Sequence, residues 1–324
     1  MSLRLYILFI TCFVFTIIVG SGFYGYGIDF HGLYTKPNLD MGDYRNWLGY
    51  RLSSLTINNT HIGVYFLALV LSLSCSLLIN EFLKQKLIHS RIYLFLILII
   101  TLHTWPIIMS ATNAMRQGYA NSLVFLALVL IFQKQTKLSS VILIFSIFLH
   151  KTGFFFVMIF LTTFTVKAAL NSMKRNSEKL FLVLSAFMCI FAFYFLYRLL
   201  LDTGEIFRVV NGDFRIPFLI INISFIFFYI IFLKILREND IYLFVFIFSC
   251  AAIPVLMIDY NWQYERLNMM MTIPYILTTG KILNLRSVKI YWLVALSLLL
   301  FLTLHQGMYQ ALTDEFTFKE IRGL

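Results

Sequence analysis

Residues 113–156 read NAMRQGYANSLVFLALVLIFQKQTKLSSVILIFSIFLHKTGFFF. An apolar run opened by Arg116 and Gln117 is followed by a polar turn, a second apolar run, and then His150 and Lys151 before the chain turns apolar again. At 1.5 Å per residue the second run, Leu138 to Leu149, covers about 18 Å of a hydrocarbon layer about 30 Å thick. Either one long helix from Ser139 to Val166 carries His150 and Lys151 at its middle, or a short helix ends below the membrane surface and a second begins beyond it. The hairpin is favoured, because the single helix would reverse every later loop and spread the basic residues almost evenly over both faces. His150 and Lys151 then lie in a recess open to the outer face, since irregular backbone at membrane depth requires protein or water around it. Ionisable groups in such a place are costly and point to function; as juxtamembrane anchors they would merely snorkel.

The remainder of the chain agrees with a membrane setting. Of 324 residues 60% are hydrophobic and 13% charged, with 35 Phe and a mean hydropathy of +0.84, far more apolar surface than a soluble core can bury. Spans are expected near 3–20, 62–80, 92–109, 115–132, 138–150, 153–170, 180–200, 217–235, 241–258, 265–283 and 290–305, about eleven helices in a single all-α polytopic domain, 1–324. The first is read as an uncleaved span, because it is longer than a signal-peptide core and lacks a clear cleavage site. With the N-terminus cytoplasmic, fifteen of the 26 basic residues fall on the inner side, which leaves the C-terminus periplasmic and accounts for the net charge of +11 without nucleic acid. The four cysteines, Cys12, Cys75, Cys189 and Cys250, lie singly in apolar runs with no CxxC, against a zinc site or disulfide framework.

Asn113, Arg116, Gln117, Ala120 and Asn121 fall at i, i+3, i+4, i+7 and i+8, a small and polar stripe on one helix face. The stripe serves helix packing or faces a cavity; an inward arginine near the outer end suits a phosphate or diphosphate, which its planar fork can grip by two hydrogen bonds. His103 and Trp105 lie near the outer end of the third span, where a lone histidine is more often structural and a tryptophan belongs to the interfacial belt. The loop 21–61 carries Asp29, His31, Asp40 and Asp43. Asp43 can cap an interfacial helix 44–55 in which Tyr44, Trp47, Leu48, Leu52 and Leu55 share a face, roofing the recess. Asp40 and Asp43 alone make no metal site, and no metal or cofactor is expected. A further outer turn, DYNWQYER from Asp259 to Arg266, mixes Trp262, three other ring or amide types and Glu265 in a composition suited to stacking on sugar faces. Glu238-Asn239-Asp240 reads as a helix cap. No P-loop, GxSxG, HExxH or DxD is present.

In the stretch 113–156, in Gly27-Ile28-Asp29 and Asp43-Tyr44 of the first loop, and in Arg266, the chain resembles the EpsG family of Wzy-type polysaccharide polymerases. It departs from the pattern at Gly153, where Ser-Ala is expected after the His-Lys pair. The resemblance implies a metal-independent glycosyltransferase of the bacterial inner membrane, GT-C-like only by analogy. It would join undecaprenyl-diphosphate-linked oligosaccharide repeat units, as donor and acceptor, at the periplasmic face for O-antigen, capsule or exopolysaccharide. A chain-length regulator and a flippase are the protein partners so implied. For that chemistry Arg116, Lys151 and Arg266 are the candidate diphosphate ligands. His150, Asp29, Asp43 and Glu265 are the candidate bases, and Gln117, Asn113, Tyr44, Trp105, Asp259 and Trp262 the candidate sugar contacts. An O-antigen ligase shares the donor; a lipid-linked oligosaccharide flippase would show paired broken helices, and no internal repeat is visible.

Overall fold

The computed structural model describes residues 3–24, 47–58, 60–84, 98–99, 101–112, 114–173, 177–202, 215–237, 240–258 and 261–283. Nearly all are helical, and five helices are long and apolar enough to cross a membrane: Gly63–Phe82, Met115–Phe132, Thr152–Ser172, Glu178–Leu200 and Asp240–Met257. This is an all-α, membrane-embedded protein. Its helices gather into two compact units, one containing Met1–Phe156 and the other Val157–Leu299.

The first unit contains α1 (Leu3–Gly20), α2 (Trp47–Ser53), a two-stranded hairpin of β1 (Thr56–Ile57) and β2 (Thr60–His61), α3 (Gly63–Lys84), α4 (Trp105–Thr112), α5 (Met115–Phe132) and α6 (Thr136–Leu149). The helix α5 packs on both α3 and α6, and α1 packs on α3. Small residues let these backbones approach: at Gly118 an added Cβ would meet the Ser110 carbonyl oxygen at 2.3 Å, and at Gly20 the Tyr65 ring. The α5–α6 turn is closed by Gln135 N–H donating to the Leu130 carbonyl at 2.8 Å, with Lys134 at φ 60°. Ser139 Oγ then donates to the Ala127 carbonyl at 2.9 Å and fixes the hairpin's register. The outward face of α1, with Tyr6, Phe9, Ile10, Phe13, Val14 and Ile17 exposed at helical spacing, is what a lipid-facing helix requires.

Helices expected near 115–132 and on either side of His150 are present, and the chain breaks between them: α6 stops at Leu149, and α7 (Thr152–Ser172) starts two residues beyond His150. His150 is extended at φ −162°, ψ 147°. A Cβ on Gly153 would strike the Ser146 carbonyl carbon at 2.4 Å, so the turn folds back on α6 and a continuous helix from 139 to 166 is excluded. The expected span 92–109 is corrected. Helical residues end at Leu102, and α4 starts separately at Trp105. Pro106, which has no N–H to donate back to the Leu102 carbonyl, favours the break without requiring it, since Pro254 and Pro274 lie inside continuous helices. The expected interfacial helix 44–55 is described as α2 from Trp47, and the expected span 290–305 lies outside the described residues.

The second unit comprises α7 from Val157, α8 (Glu178–Asp202), α9 (Arg215–Ile231), α10 (Leu233–Leu236), α11 (Asp240–Met257) and α12 (Asn261–Leu283). Its centre is α11, which packs on α8, α9 and α12; 78% of its span is buried, against 28% for the peripheral α8. At one end Asp240 accepts from Lys167 at 2.5 Å, and Arg237 pairs with Glu178 and donates to the Leu170 carbonyl at 3.4 Å. Asp240 thus holds α7 to the start of α11, beyond the capping expected of it. Within the apolar interior, Asn222 of α9 donates to Tyr264 Oη at 2.7 Å and to Asn268 Oδ1 at 2.9 Å, while Tyr275 Oη donates to Asn222 Oδ1 at 2.7 Å. Interhelical hydrogen bonds in membranes are each worth about 0.6 to 2 kcal/mol, and two or more are lost with one residue here. Asn222→Leu is therefore expected to lower the thermal midpoint of the detergent-solubilised protein, and Asn268→Leu added to it to lower it by less than the sum of the single effects.

Candidate functional site

Arg116 lies in the first turn of α5, on the end of the first unit that also carries the α6–α7 break. The two are joined through α2. A Cβ on Gly49 would stand 2.2 Å from the Leu149 carbonyl oxygen and 3.2 Å from Arg116 Cγ, so only a glycine lets α2 rest on both. The next residue, Tyr50, offers its ring to the guanidinium, whose central carbon is 4.0 Å from the ring centroid. One α5 turn on, Tyr119 Oη donates to the Gly63 carbonyl at 3.1 Å and lies 3.3 Å from that of Leu52, latching the far end of α2.

Arg116 is half-buried, its Nε buried with no hydrogen-bond partner, and among the described residues no carboxylate pairs with it. The only described carboxylate of this unit is Glu81, beside Gln133 Nε2 at 3.4 Å. Gln133 is 17 residues along α5, about 26 Å away at 1.5 Å per residue. A cation–π contact contributes about 1–2 kcal/mol. Full desolvation of an ion costs several kcal/mol, of which a half-buried group bears part, so the ring alone leaves the charge under-compensated. The ring face supports the cation, and a guanidinium offers an anion a planar fork of donors. Lys151 is exposed in the adjoining turn.

His150 is half-buried, and its Nδ1 faces Thr152: the Thr152 backbone N–H donates to it at 3.2 Å, and Thr152 Oγ1 lies 2.9 Å away. Its ring therefore caps the start of α7, a role with no signature in the expected motif. Of the polar stripe, Gln117, Ala120 and Asn121 are buried, and both amide atoms of Asn121 are buried with no hydrogen-bond partner among the described residues. Gly153 lies against Ser146, where a methyl would have no room. His103 is held structurally: Nδ1 is 2.8 Å from the Ile99 carbonyl, and the ring meets Phe15 and Tyr24 edge-on. Burial pushes the Tyr24 phenol up to about 12.

Of the other candidates, Glu265 is buried and Arg266 half-buried in the first turns of α12, within the second unit. Trp105 and Trp262 stand at the starts of α4 and α12. Asp29, Asp43, Tyr44, Asn113 and Asp259 lie outside the described residues. Sequence reading missed Tyr50 and Gly49, which are 66 and 67 positions from Arg116 in a short helix whose visible pattern was its apolar face. No family model matches the chain, and no curated protein or solved structure matches it.

Proposed function

We propose that this chain is a polysaccharide polymerase of the bacterial inner membrane, joining oligosaccharide repeat units carried on undecaprenyl diphosphate at the periplasmic face. The observation that carries this reading is the Arg116 guanidinium, set over the Tyr50 ring, unpaired by any described carboxylate and joined through Gly49 to the helix break at His150 and Lys151. A diphosphate is a good leaving group once its charge is countered, so cations placed at the departing oxygens supply most of what the transfer needs. The acceptor hydroxyl oxygen bonds to the anomeric carbon, the bond from that carbon to the diphosphate oxygen breaks, and the electron pair leaves with the diphosphate. Arg116 and Lys151 take the donor's diphosphate. Arg266 is proposed for the acceptor's from the sequence alone. The hydroxyl proton passes to a base drawn from His150, Asp29, Asp43 and Glu265.

The test is a deletion strain whose surface glycan is resolved on a gel. Loss of a polymerase leaves single repeat units on the final acceptor, and complementation by the wild-type chain restores the ladder. Long chains retained on the lipid carrier would instead indicate a ligase, and no glycan at the surface a flippase; either result overturns the polymerase reading.

A further inference from the structure

We infer that the isoprenoid chain of the donor carrier lies in a furrow along α5 with its diphosphate at Arg116, so that the donor enters sideways from the membrane; this rests on Arg116 being a diphosphate ligand as read above. From Met115 to Leu130 every residue of α5 is buried except Arg116, Leu123, Leu126 and Leu130, which are half-buried. Spacings of seven, three and four residues put these four on one helix face. The arginine therefore opens in the same direction as the three leucines, along a line of about 21 Å at 1.5 Å per residue.

The neighbouring helices make this line a furrow. Gly118, against Leu67 of α3, and Ala127, whose carbonyl accepts from Ser139 of α6, point to opposite sides of α5, and the line lies in the arc between them. On one side α3 runs parallel to α5, with Phe66 6.1 Å from Tyr119 and Phe82 5.0 Å from Phe132, ring centre to ring centre. It presents Phe66 and Leu77 exposed, with Val70 and Leu73 half-buried between them. On the other side α6 runs antiparallel and reaches Gly49 beside Arg116, with Leu138, Val141 and Phe145 exposed. The middle helix is thus recessed between two apolar edges, and the recess ends at a guanidinium that no described carboxylate pairs. An anionic head on a long apolar chain matches both parts, whereas a free phosphate makes no use of the leucines. The face of α8 is different: Phe187, Met188 and Phe191 project as a ridge, and Arg198 at its end is exposed, as bulk lipid requires. Lipid tails are as apolar as an isoprenoid, so the furrow selects by close packing.

Leu123→Trp fills the floor about 10 Å from Arg116 and leaves the cation in place. The full-length protein in phosphatidylcholine nanodiscs is titrated with farnesyl diphosphate and with inorganic diphosphate. Leu123→Trp is expected to weaken farnesyl diphosphate about tenfold, the worth of on the order of ten carbon contacts, and to leave inorganic diphosphate unchanged. Arg116→Ala should weaken both, and Phe187→Trp on the α8 ridge neither. Unchanged farnesyl diphosphate affinity in Leu123→Trp, or equal weakening of the two probes, overturns the furrow while the anion site stands. Dihexanoyl phosphatidic acid binding as tightly as farnesyl diphosphate, with the same loss in Leu123→Trp, also overturns it by giving the furrow to a phospholipid. A second measurement needs no variant: farnesyl diphosphate with a photoreactive terminal isoprene is crosslinked and its adducts mapped by mass spectrometry. Adducts are expected on the furrow residues of α3, α5 and α6, and an equal yield on the α8 ridge would overturn the inference. An Arg116→Ala protein that binds inorganic diphosphate as tightly as wild type removes the anion site and this inference with it.

Discussion

Arg116→Ala is expected to abolish the polymer ladder, leaving single repeat units, while the protein stays at its normal level with an unchanged or higher thermal midpoint. These two outcomes together distinguish a ligand from a structural arginine. The guanidinium is half-buried and, among the described residues, its charge is met by the Tyr50 ring at 4.0 Å and by no carboxylate, so removing it relieves desolvation as well as losing a contact worth about 1–2 kcal/mol. In catalysis the balance is different, because a preorganised donor aimed at developing charge contributes about 3–4 kcal/mol, a factor of roughly 10² to 10³ in turnover. Arg116→Lys is expected to recover little of this, since an ammonium neither stacks as a plane nor presents the fork that grips two oxygens. Tyr50→Phe should retain most activity and Tyr50→Leu should lose several-fold, because the ring face and not the hydroxyl supports the guanidinium. In vitro transfer rates with purified protein check each. A destabilised Arg116→Ala protein with normal chain length would defeat the assignment.

Much of the scaffold around Arg116 is legible in the sequence because lipid imposes a simple demand: runs of about 20 apolar residues become helices. That suffices for α1, α3, α5 and the helices of the second unit. It fails at residues 92–109, where the helix breaks at His103 and Thr104 just before Pro106, while α11 and α12 run on through Pro254 and Pro274; a proline in an apolar run does not by itself say whether the helix ends. The break at His150 is readable from polarity and from the shortness of Leu138–Leu149, and Arg116 from its place in a polar stripe. The partners are not readable. Tyr50 is one of 18 tyrosines, and its selection over Tyr44 or Tyr119 depends on how α2 lies on α5, a tertiary contact with no local period. Nor does sequence reveal which imidazole nitrogen holds the proton, since that depends on a backbone N–H two residues on.

Gly49→Ala is expected to cost roughly a hundredfold in polymerisation rate although it adds one methyl group outside the helix core. The new Cβ would lie 2.2 Å from the Leu149 carbonyl oxygen, and the obstacle is backbone at the end of α6, which cannot swing aside as a side chain would. The short helix α2 must therefore lift, by about 1 Å if ordinary van der Waals contact is to return. Its anchors resist unevenly. At the far end the Leu52 carbonyl is held by Tyr119 Oη at 3.3 Å, so the displacement concentrates near Gly49 and carries the Tyr50 ring off the guanidinium. A misplacement of that size in a positioned charged group is enough for about 10²-fold in rate. Folding should hardly register it, because the packing of α3, α5 and α6 does not pass through α2. Ile57→Ala, on the neighbouring hairpin and 58% exposed, is the control expected to leave both rate and stability unchanged. If Gly49→Ala supports full-length polymer, α2 does not hold Arg116 in its working position, and the contact between Tyr50 and the guanidinium has no part in the transfer.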